Sequence, residues 1–588
     1  MSASSKKSGS LKELRRLVPY VRRYPKLVGW GLVSITLSNV CSTAIPHVVG
    51  QTIDALKISA AASADIAWLI AQILLLTIGS GFFMFATRRT IILMSRFIEE
   101  DLRNDFVAAI KDQSQRFFHY RSTGSLLAHF SNDIGAVREF IGPAIMYTAN
   151  TITTFAFALA WMTSINVPLT FAILIPVPLV ATLTYRLGKR IHEAYKRTQE
   201  QYEHITTHAQ ETASGIRVVR AYERGEHEAG RFDALSIDYY RKSMTLARVQ
   251  SLMMPSMTVL FNLSYVIVIS VGGYYVMQNM MSVGDLTQFF IYLNQLLWPI
   301  AAIGWVTSMI QRGAASMARL GAVIEAPCDV SDPATPTDVE IIGTVEFDNV
   351  SLSYNDDVHV LQGISLVVPK GSSLGIVGAV GSGKSSLIGL LPRLYDVSHG
   401  AVRIDGVDVR EMSLLTLRSS IAVVPQESFL FSETIFENIR FGRPTASDEE
   451  VVAAAHIAQL DADVRSFPEG YDTIVGERGV TLSGGQKQRT SLARAIASNP
   501  TILILDDSLS AIDAATEDRI LHGLNEVMNG RTTFLISHRI STVKRCDNII
   551  VLQDGQIIEK GSHKELLNLG GIYAEMYERQ QLEQQLAI

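Results

Sequence analysis

A glycine-rich loop is the part of this sequence with the clearest chemistry. Residues 375–386, GIVGAVGSGKSS, place Gly378, Gly383, Lys384 and Ser385 in the spacing G-x-x-x-x-G-K-[ST]. In this pattern the glycines let backbone N–H groups surround phosphate, the lysine reaches the β- and γ-phosphates, and the hydroxyl binds Mg²⁺. The sequence therefore predicts a site for a nucleoside triphosphate. Its expected contacts are Gly378, Gly381, Ser382, Gly383, Lys384, Ser385 and Ser386.

Two adjacent acids end an apolar run at residues 502–513, ILILDDSLSAID. The run predicts a strand inside a parallel sheet that is covered on both faces. Asp506 stands at the carboxyl end of this strand, where it is placed to hold Mg²⁺ through water. The next residue, Asp507, carries a carboxylate one methylene shorter than that of a glutamate.

A second glycine turn opens a helix at residues 481–500, TLSGGQKQRTSLARAIASNP. The free N–H groups and the positive end of the helix dipole make its start a second phosphate site. One nucleotide has little use for two such helix ends from one chain, so this site is expected to serve a neighbour's nucleotide. Its expected contacts are Ser483, Gly484, Gly485 and Gln486.

The elements that carry these motifs occupy less than half of the 588 residues. Charged residues make up only 19% of the chain, and long stretches with almost no charge lie between residues 27 and 310. About 20 apolar residues are needed to cross a bilayer. Six candidate spans are expected at 27–50, 66–87, 141–163, 166–186, 255–277 and 287–309.

Basic residues predict how these spans are oriented. The N-terminus and the two long connections, 88–140 and 187–251, are rich in Arg and Lys. The other three connections are short, and Lys57 is their only basic residue. By the positive-inside rule, both termini and both long connections are cytoplasmic. The long connections are expected to be helical hairpins with breaks near Gly124 and Gly215, and the first 26 residues are expected to include an amphipathic helix on the membrane surface.

The LSGGQ motif at 482–486 is the signature of the ABC transporter ATPases, and the chain resembles the half-transporters of ABC exporters over its whole length. The resemblance implies an all-α transmembrane domain of six helices followed by an α/β P-loop ATPase domain. The expected boundaries are 1–325 for the transmembrane domain, 326–340 for a linker and 341–588 for the nucleotide-binding domain. The resemblance also implies that the ligands are ATP and Mg²⁺. The implied partners are a second half-transporter, the lipid bilayer and a hydrophobic small molecule, and a nucleic acid is not expected.

Other motifs of the family match this sequence residue by residue. Tyr354 resembles the aromatic residue that stacks on adenine, Gln426 the glutamine that contacts Mg²⁺, and His538 the switch histidine on the γ-phosphate. VGERG at 475–479 resembles the loop that touches the coupling helices, and Asp513 resembles the D-loop aspartate. The resemblance thus implies Asp507, His538 and Gln426 as catalytic residues and Ser385, Gln426 and Asp506 at the metal.

Asp507 occupies the position where the family normally has the catalytic glutamate. Loss of one C–C bond withdraws the carboxylate by about 1.5 Å, and a general base must lie about 2.6–3.2 Å from the water that it activates. The site on this chain's own phosphate loop is therefore expected to bind ATP and hydrolyse it slowly.

The complete signature beside a weakened base resembles the degenerate-site subunit of bacterial heterodimeric multidrug exporters. This predicts ATP-driven export of hydrophobic or amphipathic compounds across a bacterial inner membrane. A homodimer that exports lipid or peptide, an importer on the same scaffold, and an ATP-switched channel or regulator stay open as alternatives.

Overall fold

The computed structural model describes residues 11–57, 63–355, 358–476, 479, 481–509 and 514–586. The chain divides into two compact units. The first comprises the residues up to Ile110 together with Gly124–Ala326, and the second comprises Lys111–Thr123 and Pro327 onwards. The segment Lys111–Thr123, which lies well inside the expected transmembrane domain, thus groups with the second unit.

Fifteen α-helices precede the first strand in the described residues. They are α1 Val18–Val21, α2 Pro25–Lys57, α3 Ser63–Thr87, α4 Leu93–Lys111, α5 Gln115–Tyr120, α6 Thr123–Ala128, α7 Ile134–Glu139, α8 Ile145–Ile165, α9 Val167–Leu174, α10 Pro176–Ser214, α11 Ile216–Ala221, α12 Gly225–Ser251, α13 Met253–Ile267, α14 Gly273–Met277 and α15 Val283–Ile324. A 3₁₀ helix covers Leu11–Leu17, and π-helical turns cover Arg88–Ile92, His129–Asp133, Phe140–Ala144 and Val268–Gly272.

Four continuous helical stretches within the described residues are long and apolar enough to cross a membrane. They are Pro25–Lys57, Ala64–Lys111, Gly225–Met277 and Val283–Ile324. The first, second, fifth and sixth expected spans lie inside them. The third falls mainly on α8, whose threonines and Asn150 lower its hydropathy, and the fourth is divided at Ile175 between α9 and α10. The count of six spans therefore stays a prediction.

Helix α2 is central to the packing of the first unit, because it contacts α3, α8 and α15. The short helical segment before α2, from Leu11 to Val21, also contacts other parts of the first unit. Tyr20 donates a hydrogen bond to Asp105 at 2.6 Å, and Arg16 forms an ion pair with Glu325 at 2.9 Å. The amphipathic helix expected near the N-terminus is present, although its first part is a 3₁₀ helix.

Both long connections are helical hairpins with breaks. The second breaks at Gly215 and continues as the short helix α11, as expected. In the first, the chain leaves the helical conformation at Arg121 and Ser122, and Gly124 lies inside α6. This break lies within three residues of Gly124, as expected, and Arg121 adopts the extended conformation at the end of α5.

Among its described residues, the second unit contains ten strands and ten further helices. The strands are β1 Val345–Asn355, β2 Val358–Val368, β3 Ser373–Val377, β4 His399–Ile404, β5 Val407–Asp408, β6 Ile421–Val424, β7 Ile502–Asp506, β8 Thr532–Ile536, β9 Asn548–Gln553 and β10 Gln556–Gly561. The helices are α16 Lys384–Gly389, α17 Leu414–Ser419, α18 Ile435–Arg440, α19 Asp448–Ile457, α20 Asp461–Ser466, α21 Gly484–Ala497, α22 Ala514–Met528, α23 Ile540–Val543, α24 His563–Leu569 and α25 Ile572–Leu586. The expected fold class, an all-α part followed by an α/β ATPase domain, is confirmed.

The six-stranded sheet determines where the motifs meet. Its order is β10-β9-β3-β8-β7-β6, and all neighbouring pairs except β10 and β9 are parallel. Ile536 of β8 is opposite Ile376 of β3 on one side and Asp506 of β7 on the other. The phosphate loop, the acidic pair and His538 therefore follow neighbouring strands at one edge, where ligands bind in open α/β sheets.

Candidate functional site

A cavity of about 330 Å³ lies at this carboxyl edge of the sheet. The residues that the sequence predicts for nucleotide, metal and catalysis contribute most of its lining. It is lined by Tyr354, Val360, Val380, Gly381, Gly383, Lys384, Ser385, Ser386, Gln426, Asp506, Asp507, Ile536 and His538. The structure thus brings together residues from five separate motifs around one space.

Three glycines give the phosphate loop its path, and each has positive φ. A Cβ atom on Gly378 would lie 2.2 Å from the carbonyl oxygen of Leu552, and one on Gly383 would lie 2.9 Å from that of Val360. A Cβ atom on Gly381, in contrast, would enter open space, with no heavy atom within 4 Å. Two of the glycines are therefore required by neighbouring backbone, and the third leaves space for a ligand.

Lys384 is nearly buried at the first position of α16. Its ammonium group donates to the carbonyl oxygens of Gly378 and Ala379, at 3.0 and 2.7 Å. Burial lowers the pKa of Lys384, and the neighbouring Asp506 and Asp507 oppose that shift. Lys384 therefore follows the loop in sequence, and its ammonium group reaches back across the loop to Gly378 and Ala379, where a bound phosphate would be within its reach.

Asp506 and Ser385 fit a hydrated Mg²⁺ site. Burial raises the pKa of Asp506, and the hydroxyl of Ser385, which donates a hydrogen bond to the carboxylate, opposes that shift. Hard oxygen donors such as these suit Mg²⁺, which keeps several waters and phosphate oxygens in its shell. Gln426 lines the same cavity and is exposed.

Asp507 has a left-handed backbone with φ of 45° and a nearly buried side chain. Its N–H donates to the carbonyl oxygen of Ile536 at 2.9 Å, which fixes this conformation between β7 and β8. Aspartate enters this region more readily than most residues, and a strained backbone is often found at functional sites. The carboxylate lines the cavity beside Asp506.

Tyr354 is held on several sides at the mouth of the cavity. Its hydroxyl is 2.9 Å from that of Ser386, and its ring meets that of Tyr395 edge-on at 5.1 Å. Helix α5, which groups with this unit, adds two contacts that the sequence did not suggest. The ring of His119 stacks on that of Tyr354 at 6.2 Å, and Arg116 donates to the Tyr354 carbonyl at 3.0 Å.

The signature residues lie outside this cavity, at the start of α21. Ser483 caps the helix, and its hydroxyl and the Gln486 side chain form a reciprocal capping box. Gln486 also donates to Asp463 at 3.0 Å. Ser483 and Gly484 are exposed. The structure therefore does not bring the signature of this chain to the chain's own phosphate loop.

Helix α21 is tied to the segment that follows Gln426. Arg494 donates to the carbonyl oxygens of Phe429 and Asn438, at 2.9 and 2.7 Å. Burial lowers the pKa of Arg494 to about 10, so it stays charged at neutral pH. Sequence reasoning missed this residue because its partners are backbone atoms more than 50 residues away.

Two side chains hold the loop that carries His538, and neither was predicted. Gln580 of α25 donates to the carbonyl oxygen of His538 and accepts from the N–H of Ile540 at 2.8 Å. Glu517 of α22 forms an ion pair with Arg539 and accepts from Thr542 at 2.6 Å. The switch loop is therefore anchored to two helices. Asp513 and part of the 475–479 loop lie outside the described residues.

We expect the glycines of the loop to differ in their response to alanine. Gly378→Ala should destabilise the ATPase domain by roughly 1–3 kcal/mol, because its methyl group would overlap the backbone of β9. Gly381→Ala meets no neighbouring atom and should cost about 1 kcal/mol from its positive φ, while weakening ATP binding. Thermal unfolding of the solubilised chain with and without ATP measures both effects. Equal loss of stability in the two variants would contradict these roles.

Comparisons with known proteins agree with this geometry. The model for the ABC transporter transmembrane region matches residues 28–300, and the ABC transporter model matches residues 361–510. A bacterial Atm1-family ABC exporter with ATP bound is similar in structure, with a TM-score of 0.79 and 29% identity, over 94% of this chain and 99% of that one.

Curated relatives match along nearly the whole chain. The probable multidrug resistance ABC transporter ATP-binding/permease protein YheI of Bacillus subtilis is 36% identical, over 97% of this chain and 98% of its own length. The multidrug resistance-like ATP-binding protein MdlA of Escherichia coli is 34% identical, over 92% and 91%. The ATP-dependent lipid A-core flippase of Syntrophus aciditrophicus is 31% identical, over 96% and 94%.

Proposed function

The chain belongs to the ABC transporter family, and on that premise we propose that it is the degenerate-site half of a heterodimeric multidrug exporter in a bacterial inner membrane. ABC transporter ATPase domains bind ATP, normally with Mg²⁺, and couple its hydrolysis to transport. Under this proposal the exported compounds are hydrophobic or amphipathic, and both termini are cytoplasmic. The multidrug names of two relatives support the substrate class.

One observation carries the proposal. The base position of the chain's own cavity holds Asp507, whereas Ser483 and Gly484 form an intact, exposed helix start outside that cavity. Such a chain lacks an efficient general base for the nucleotide on its own phosphate loop. It retains the N–H donors that would bind the phosphates of a second nucleotide on another chain. A partner that carries a glutamate at the base position and binds this signature would complete an efficient site.

The motif residues of the cavity have separate roles under this proposal. Tyr354 stacks on adenine, the N–H groups of the phosphate loop and Lys384 bind the phosphates, and Ser385, Asp506 and Gln426 hold the metal. A Mg²⁺ ion held by these residues would offset the negative charge of the nucleotide's phosphates. His538 contacts the γ-phosphate, and Asp507 faces the attacking water from too great a distance to remove its proton efficiently. ATP therefore stays bound in this site longer than in the partner's site.

Lys384→Ala tests this division of labour. We expect it to weaken ATP binding at this chain's site at least tenfold, because an ionised donor to phosphate is worth about 1.5–3 kcal/mol. ATP-driven dye uptake into inside-out vesicles that contain both chains should be reduced but measurable, since the partner's phosphate loop is unchanged. Lys370→Ala, on an exposed turn before β3, is the matched control.

If Lys384→Ala abolished ATP turnover by the pair while nucleotide binding at this chain stayed normal, the assignment of the weak site to this chain would be contradicted. ATP-driven dye uptake by this chain without any partner would favour a homodimer. The similarity to a lipid A-core flippase keeps a homodimeric lipid exporter as the second candidate.

A further inference from the structure

A cavity of about 250 Å³ lies within the first unit, between α2, α3, α8 and α15. It is separate from the nucleotide cavity and is formed entirely by residues of the transmembrane part. Its lining includes the polar residues Ser38, Asn39 and Asn150 and the aromatic residues Tyr147 and Trp298. Polar and apolar groups in one cavity suit an amphipathic ligand.

Two asparagines of the lining, Asn39 and Asn150, are joined by a hydrogen bond. The side chain of Asn39 donates to the Oδ1 atom of Asn150 at 3.1 Å and to the hydroxyl of Thr153 at 2.5 Å. Because Asn150 accepts through Oδ1, its own amide N–H groups are left over, and they have no acceptor among the described residues. Uncharged polar side chains at this depth in a membrane protein normally face other helices or a cavity.

Arg88 adds a positive charge at one end of the cavity. It follows directly on the apolar stretch of α3 and begins a π-helical turn, a feature common at functional sites. Its side chain is exposed, and it makes no ion pair with any acidic residue in the part of the chain that the structure describes. The residues that line the cavity include no Asp or Glu.

A cavity with a guanidinium group, spare amide donors and no acid is suited to a negative group rather than to a cation. The apolar part of such a ligand has a place to lie, because Ile35, Met84 and Met146 also line the cavity. Arg88 stands where the apolar stretch ends, and lipid headgroups lie at that level of a bilayer. A volume of about 250 Å³ accommodates a headgroup and its first methylene groups.

We propose that this cavity binds amphipathic anions, with a phosphate or similar headgroup on Arg88 and Asn150 and the chain against Trp298 and α3. The inference rests on the proposed export function and narrows its substrates to those with a negative headgroup. Such a ligand has two sources, an anionic membrane lipid or a free amphipathic compound, and they share this chemistry.

Binding of radiolabelled dodecyl phosphate to the full chain in phosphatidylcholine nanodiscs tests the proposal. Arg88→Gln should weaken binding about tenfold or more, because the lost contact is a charge-assisted hydrogen bond. Arg88→Lys should retain part of the affinity. Arg89→Gln is the matched control, since Arg89 is the next residue, is also exposed and does not line the cavity. It should bind within about twofold of the wild type.

Two further arms complete the experiment. Dodecyltrimethylammonium should not compete, and nanodiscs that contain phosphatidylglycerol will compete if the source is a membrane lipid but not if it is a free compound. Equal effects of Arg88→Gln and Arg89→Gln, or competition by the cation, would overturn the proposal. Binding of dodecyl phosphate requires no ATP, so the two proposals can fail separately. If this binding is absent while ATP-driven transport is intact, only this inference is refuted. If the binding is intact while transport is absent, only the export function is refuted.

Discussion

Gly484→Asp in this chain is expected to lower ATP turnover of the heterodimer by about 100-fold or more, because loss of one preorganised donor to a developing charge typically costs 10²–10³ in rate. The residue is exposed at the first position of α21, directly after the Ser483 cap. Under the proposed function, a carboxylate there would place both bulk and negative charge beside the partner's γ-phosphate. ATPase activity and dye uptake of the purified pair measure the effect.

The same substitution should leave the fold intact, which makes the result interpretable. An acid in the first turn of a helix is favoured by the helix dipole, so α21 is not weakened. Asp507→Ala in the same pair is the comparison, and it should retain most of the turnover because, under the proposed function, Asp507 belongs to the slow site. Equal damage from the two substitutions would mean two equivalent sites, and a homodimer would replace the heterodimer.

Asp507→Glu is expected to raise ATP turnover of this chain alone by about 100-fold, because a displacement of about 1 Å at a reacting group can cost that much. The longer side chain returns the carboxylate to the distance at which it removes a proton from water. The measurement is Mg·ATPase turnover of the purified chain, with Asp507→Asn as a control of the same size as the wild type and without a base.

The backbone conformation at residue 507 could make the Asp507→Glu variant less stable than the wild type. Asp507 has φ of 45°, a region that costs about 1–3 kcal/mol when a residue is held there, and glutamate is less common in it than aspartate. Thermal unfolding of the variant therefore accompanies the kinetics. Fast turnover by the wild-type chain, unchanged in a folded Asp507→Glu variant, would refute the weak-base account.

Sequence reasoning found the residues of the nucleotide cavity because each belongs to a short motif with a fixed spacing. Lys384, Asp506 and His538 are more than 30 residues apart, yet all follow neighbouring parallel strands. The resemblance to the ABC transporter ATPases supplied His538, and the structure shows that the parallel strands bring all three residues to one cavity. The exposure of Ser483 and Gly484 outside that cavity agrees with the expectation that they serve another chain's nucleotide.

The supporting residues could not be predicted in the same way. Gln580, Glu517 and Arg494 act through backbone atoms or through side chains far away in the sequence, and such partners leave no trace in a local motif. The break in the first hairpin lies near Gly124, as the sequence indicated, but the exact residues, Arg121 and Ser122, could be read only from the structure.

Arg88 illustrates a further limit of the sequence. Its neighbour Arg89 has the same side chain and the same exposure class, and the two are equivalent in any count of charges. Only the three-dimensional structure shows that Arg88, unlike Arg89, lines a cavity together with Asn150 and Trp298. The ATP-site residues could be recognised from sequence motifs, whereas the placement of Arg88 in this cavity required the structure.

Site-resolved trapping of the nucleotide tests the central claim most directly. The purified pair is incubated with Mg²⁺, vanadate and a photoreactive ATP analogue that labels the chain holding the adenine, and labelling is compared with and without hydrolysis. The account predicts that both chains are labelled when ATP only binds, and that hydrolysis-dependent trapping by vanadate labels the partner far more than this chain. Equal trapping on the two chains would contradict the claim that Asp507 makes this chain's own site the slow one.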